Sequence, residues 1–234
     1  VRWGLVIFGL LLAAPSATIG QLKPEAQTGS RIAVNPETVA AKQAGIVKKG
    51  FAACVYRRHK ALAQTLLEHS DQAKIDATGA QIKDFGEQFD MSHCLGDEVG
   101  AGQLSLGYRF GPTLLRAMMA EEAYLDTNRT APQLSASATE NVARTYFATD
   151  EALLRAQAWG QFSDCIVFRD VAMADTLLRT TPASDAEHDA AAALAPSLGA
   201  CLVQGQKLSL SPASIRQFVA DGMWMRFGHS GTRQ

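Results

Sequence analysis

Residues 51–71, FAACVYRRHKALAQTLLEHSD, return in altered form as residues 162–182, FSDCIVFRDVAMADTLLRTTP. At an offset of 111 the two stretches share Phe51/Phe162, Cys54/Cys165, Arg58/Arg169, Ala61/Ala172, Ala63/Ala174, Thr65/Thr176 and the pairs Leu66-Leu67/Leu177-Leu178. Farther along, Cys94-Leu95 matches Cys201-Leu202 at offset 107, and GQLSL at 102–106 matches GQKLSL at 205–210 with Lys207 as the extra residue. PTLLRAMMAEEAY at 112–124 then matches PASIRQFVADGMW at 212–224, keeping the proline, Arg116/Arg216, Ala120/Ala220 and an acid at 121/221. Chance similarity between alanine-rich helices would imitate one such block, but hardly four in the same order. The expectation is a chain made of two homologous halves.

Composition makes those halves helical. Alanine is abundant while aromatics are 7% of the 234 residues, which favours helix over sheet. NPET at 35–38 offers an Asn N-cap with Pro at the first helical position, opening a helix that runs toward 56–58. Residues 60–69 predict a second helix with Leu62, Leu66 and His69 on one face. Capping boxes at Ser137-x-x-Glu140 and Ser184-x-x-Glu187 precede further helical runs. Beyond the first of them, Val142, Tyr146 and Leu153, flanked by Phe147, Leu154 and Ala158, predict a wide apolar stripe on a long helix. GP at 111–112 and SP at 211–212 start the last helix of each half. Alternation in LSLGYRF and KLSLS allows short strands at 103–110 and 206–211 in an otherwise mainly α fold.

The predicted organisation is a signal peptide at 1–20 and a flexible segment at 21–35, then helical repeat 1 at 36–126. A turn-rich linker at 127–136, helical repeat 2 at 137–227 and a flexible tail at 228–234 complete it. The front end carries one cation, Arg2, an apolar run from Leu5 to Ala14 and the small-residue stretch PSATIG. That is the order of a cleavable export signal, and the apolar run falls short of the ~20 residues a membrane span needs. A retained signal anchor, and with it a membrane attachment, is the competing expectation.

Cys54, Cys94, Cys165 and Cys201 suit an oxidising compartment. No C-x-x-C spacing points to a redox pair or a zinc ribbon, and four cysteines allow three pairings. The repeat selects Cys54–Cys94 and Cys165–Cys201, one staple in each half. Each closes a loop that stabilises the fold by ~4 kcal/mol in the chain-entropy view. The paired pattern Cys…Arg…Leu-Leu…Cys…Gly-Gln-x-Leu, spanning roughly 51–124 and 162–224, resembles a group of uncharacterised exported bacterial proteins. That resemblance implies a periplasmic or secreted location and the two-part architecture, with no activity attached.

Motifs that carry chemistry are scarce. A formal net charge of −1 gives no footprint for nucleic acid, and the basic run from Lys48-Lys49 to Arg57-Arg58-His59-Lys60 is interrupted by GFAACVY. GIVKKGFA at 45–52 has the glycines of a phosphate loop but puts Phe51 where the lysine must stand. No G-x-S-x-G elbow, H-E-x-x-H or acidic calcium loop occurs. NRT at 128–130 fits a glycosylation sequon. His59, His69, His93, His188 and His229 lack the i, i+4 spacing of a metal pair, and a disulfide at Cys94 removes the thiolate beside His93. No metal or other cofactor is therefore implied.

Adjacent acids at 97–98 and 121–122 diverge on a helix, so they make a poor acid–base pair. Arg116 and Arg216 with the acids at 121 and 221 predict ion pairs that orient the last helix of each half. Arg58 and Arg169, one turn after a cysteine in both copies, are placed to cap carbonyls or to contact an anion. Met223, Trp224 and Met225 predict core that closes the last helix, or else an adaptable surface for a partner. The resulting expectation is a non-catalytic binding or interaction module whose partner is an envelope protein or a small ligand. The alternatives are a periplasmic enzyme with a site assembled from distant acids and histidines, and a membrane-anchored structural protein.

Overall fold

The computed structural model describes residues 41–70, 84–99, 112–140, 150–202 and 209–228, which contain ten helices and no strand. The first half supplies α1 (Ala41–Arg58), α2 (Lys60–Glu68), the short α3 (Phe85–Gln88), α4 (Met91–Val99) and α5 (Pro112–Thr127). The second supplies α6 (Asp150–Arg169), α7 (Val171–Arg179), α8 (Asp185–Ala193), α9 (Ala195–Cys201) and α10 (Pro212–Phe227). Residues 128–140 between them are irregular, starting one residue after the predicted linker boundary.

Local chemistry explains the breaks. α1 gives way to α2 at His59, and α6 gives way to α7 at Asp170, the position that the 111-residue offset pairs with His59. Asp170 caps α7 by accepting from the Met173 amide at 2.9 Å. Ser184 accepts from Glu187 N at 3.2 Å, as a capping box requires, but the Glu187 carboxylate reaches back one residue farther, to Ala183 N at 2.7 Å. Ser211 caps α10, with Pro212 in the first turn.

The positions shared by the two halves are core positions. Ala63, Leu66 and Leu67 of α2 are fully buried, and so are Ala174, Leu177 and Leu178 of α7. Thr65 and Thr176 each turn their hydroxyl onto the carbonyl four residues back. Phe51, Val55, Phe162 and Ile166 belong to the same continuous core, which α5 and α10 enter from opposite halves with Met119, Tyr124, Met223 and Trp224. Cys54–Cys94 ties α1 to α4, and Cys165–Cys201 ties α6 to α9, so each staple lies within its own half.

Several expectations change. Residues 138–140 are not helical, so Ser137 starts no helix there; its hydroxyl pairs with Ser135 instead. Leu154 is 77% exposed and Ala158 is exposed, so neither lies on a buried stripe; Val142, Tyr146 and Phe147 fall outside the described residues. His69 is an exposed C-cap, off the buried face of α2. The proposed strand at 103–110 and residues 206–208 of the second also lie outside the described residues, whereas 209–211 run irregularly into the cap of α10. The predicted signal, N-terminal segment and Asn35 cap, with all of the tail except Gly228, likewise lie outside them.

Candidate functional site

Arg116 and Glu121 sit five residues apart on α5, and Arg216 and Asp221 do the same on α10. Five helical steps rotate a side chain by about 140°, so neither arginine can reach the acid on its own helix. Each reaches the acid on the other. Arg216 grips Glu121 with two parallel bonds, Nε to Oε2 at 2.8 Å and Nη2 to Oε1 at 2.7 Å. Arg116 pairs with Asp221 in turn. All four side chains are buried.

The remaining donors of each arginine close the end of a helix in its own half. Arg216 donates to the carbonyls of Leu177 (3.0 Å), Leu178 (2.8 Å) and Thr180 (3.0 Å), and to the Glu187 carboxylate at 3.1 Å. Arg116 donates to the Ser70 carbonyl and hydroxyl at 3.2 and 3.1 Å, and its guanidinium lies over the Trp224 ring at 5.6 Å. A buried guanidinium with its donors satisfied by carboxylates and helix-end carbonyls avoids the heavy cost of a lone buried charge. Tyr124 adds another tie between halves, donating to Asp175 at 2.5 Å, while Arg179 holds the same carboxylate. Asp164 of α6, fully buried, is held by Arg226 of α10 at 2.6 Å.

Beside the Glu121–Arg216 pair opens a small cleft of about 40 Å³. Its walls come from α1, α5, α10, the first turn of α8 and the turn before it, and its floor is apolar: Ala52, Ala117, Met118 and Ala220. Lys49 reaches across it to Glu121 at 2.9 Å and to the Leu178 carbonyl at 2.8 Å. Among the described residues Lys48 and Glu122, which also line the cleft, make no hydrogen bond or close ion pair. Burial would push the Glu121 carboxyl up, but hydrogen bonds and charge from Arg216, supported by Lys49, hold it below the usual carboxylate range. Glu122 goes the other way: burial and the neighbouring Glu121 charge raise it from 4.5 to about 7. Burial also lowers the Lys48 ammonium. The cleft thus holds paired charges at its centre and two poorly compensated ones, of opposite sign, in its walls.

The positions singled out in the sequence fall elsewhere. Met223 and Trp224 are 0% and 1% exposed, so they are core and offer no surface patch; Met225 is partly buried. Among the described residues Arg58 caps no carbonyl but pairs with Asp90 at 2.9 Å on the surface. Arg169 donates its Nε to the sulfur of Cys165 at 3.4 Å. Lys48, Lys49, Glu122 and Glu187 were missed as site residues, because only the fold shows which charged groups share one cleft.

Known protein families, curated proteins and solved structures contain no match to this chain.

Proposed function

We propose that this is an exported envelope protein, built by duplication, that acts as a non-catalytic binding module through the cleft between α1, α5 and α10. The observation that carries the reading is the pairing of an apolar floor with Lys48 and Glu122 in the cleft walls, which among the described residues have no hydrogen-bonded partner. Its lining contains no serine, cysteine or histidine, and Lys49 and Glu121 are engaged with each other. The volume suits a charged terminus or small head group rather than a drug-sized molecule. Duplication is supported by the matched helix breaks, the two staples and the reciprocal arginines; the resemblance to exported bacterial proteins and the disulfides support the compartment.

The test is backbone and side-chain NMR of the full chain titrated separately with acetate, methylammonium and glycine. The reading expects saturable shifts confined to residues around Lys48, Ala52 and Glu122, weakened by Lys48→Ala for acetate and by Glu122→Gln for methylammonium. No shift at the cleft with any of the three probes would refute it. Sequencing the N-terminus of protein recovered from the envelope tests export, with cleavage near residue 17 or 20 as the expected outcome.

One observation favours a second reading. A carboxyl that titrates near neutral in a cleft is equipped to donate a proton, so Glu122 would be the general acid of an envelope enzyme. In that reading Lys48, whose ammonium burial lowers, is the group in the same lining that would serve as base. Among the described residues no helix is long and apolar enough to cross a membrane.

A further inference from the structure

The two disulfides sit in different surroundings. Cys54 and Cys94 are both buried, and the arginine one turn after Cys54 points away to Asp90. In the second half Cys165 is buried but Cys201 is partly exposed, the only one of the four cysteines that is. Arg169 turns back and donates to Cys165 Sγ at 3.4 Å. The difference has a cause in the sequence: at the offset that aligns Cys94 with Cys201, Asp90 is matched by Ser197, which offers Arg169 no charge. An open cavity of about 490 Å³ is lined by Glu140, Phe168, Arg169, Pro196, Ser197 and Ala200, the last of these next to Cys201 in the chain. A Glu140 carboxylate oxygen comes within 4.8 Å of both sulfurs. These three residues do not make a metal site, since both sulfurs are bonded to each other.

We propose that Cys165–Cys201 is an exchangeable, redox-active disulfide, attacked at Cys201 by the thiolate of a small thiol or of a dithiol reductant. The incoming sulfur bonds to Cys201 Sγ, the Cys165–Cys201 bond breaks, and its electron pair leaves on Cys165. Arg169 stabilises that leaving thiolate, which speeds the step, because a leaving thiol of lower pKa departs faster. The second thiol of the reductant then attacks the mixed disulfide and releases Cys201, and the two cysteines take up the two protons that the dithiol gives up. The protein disulfide is reduced by two electrons, and the dithiol is oxidised to its own disulfide. Glu140 opposes Arg169, as its negative charge disfavours a thiolate nearby. Reduction unties α9 from α6 and leaves the sealed Cys54–Cys94 staple in place.

The experiment is timed exposure of the full folded chain to dithiothreitol at neutral pH, quenched by alkylation and read by peptide mass mapping. Cys165 and Cys201 are expected to become labelled about tenfold or more faster than Cys54 and Cys94. Arg169→Ala should slow the labelling of that pair by roughly threefold or more, and Arg169→Lys should restore part of the rate. Glu140→Gln should speed it, and none of the three should alter Cys54–Cys94 or the circular dichroism. Equal rates for the two bonds, faster reduction of Cys54–Cys94, or an Arg169→Ala rate equal to that of the parent would each overturn the proposal.

Discussion

The two halves of this protein share a frame and differ in what fills it. Each has a long helix broken one turn after its cysteine, a disulfide to a helix farther on, and a last helix whose arginine reaches across. At three matched positions the halves diverge. Lys48, Met118 and Glu122 of the first half stand where the second has Trp159, Phe218 and Gly222. In the second half Phe218 packs edge-on against Trp159 and Phe162, with centroids at 6.3 and 5.1 Å. Gly222 lets α10 lie so close to α6 that a Cβ there would stand 2.4 Å from the Ser163 carbonyl oxygen. The same space in the first half, lined by two charged side chains and a methionine, is the cleft. The two halves thus keep matching helices while one side is packed shut and the other left open.

The reciprocal arginines should resist substitution most. Replacing Arg216 by Met strands Glu121 and Glu187, buried, with only Lys49 and a capped helix end for compensation, and should cost about 4 kcal/mol in urea unfolding. Arg116→Met strands only Asp221 and should cost less, about 3 kcal/mol. A loss under about 1 kcal/mol for either would mean that the halves are not braced this way.

The matched pair Gly222 and Glu122 sharpens the comparison further. Gly222→Ala must push α10 off α6, because the obstruction is backbone, and should destabilise by about 2–3 kcal/mol. Glu122→Ala, on the open side, should change stability by less than about 0.5 kcal/mol near pH 5, where the native carboxyl is mostly protonated.

The pH dependence follows from the same residue. Glu122 titrates at about 7 in the fold against 4.5 unfolded, so its proton favours the folded state. That contribution is complete below pH 4.5 and is lost as pH rises through about 7, an amount of about 2 kcal/mol for this partly exposed side chain. Glu121, held low by Arg216, gives the opposite slope at acid pH: its stabilisation is present above the usual carboxylate range and is lost on further acidification. Urea midpoints of the parent and Glu122→Gln between pH 4.5 and 8 check this, and a parent slope unchanged in the variant would exclude Glu122 as its source. The surface pair Arg58–Asp90 lies at the small end, where Arg58→Ala should cost less than about 1 kcal/mol.

What the sequence discloses and what it hides divide along physical lines. Cysteine pairing, helix breaks and buried leucines were legible, because they depend on spacing and period, which the two matched stretches of sequence carry. The recurrence of Arg and acid was legible as well, but its partner choice was not. Helical geometry forbids the pair within one helix, yet only packing decides that α5 and α10 exchange partners. Trp224 and Met225 were legible as core closing the last helix or else as a partner surface, and the fold buries Trp224 in the shared core while leaving Met225 partly covered. The cleft was illegible, since its walls come from Lys48, Glu122, Pro182 and Gln217 on separate segments.

Each half is stapled within itself, and side-chain contacts between α5, α10 and their partners hold it to the other. Cutting the chain at a protease site placed in the exposed segment 131–137 tests it directly. The nicked protein should keep its native mass, and denaturation without reductant should separate two fragments, each holding its own disulfide. The same nick in the Arg116→Met, Arg216→Met double variant should let the halves come apart without denaturant. Fragments that stay linked until a reductant is added, or that fall apart as soon as the parent chain is cut, would contradict it.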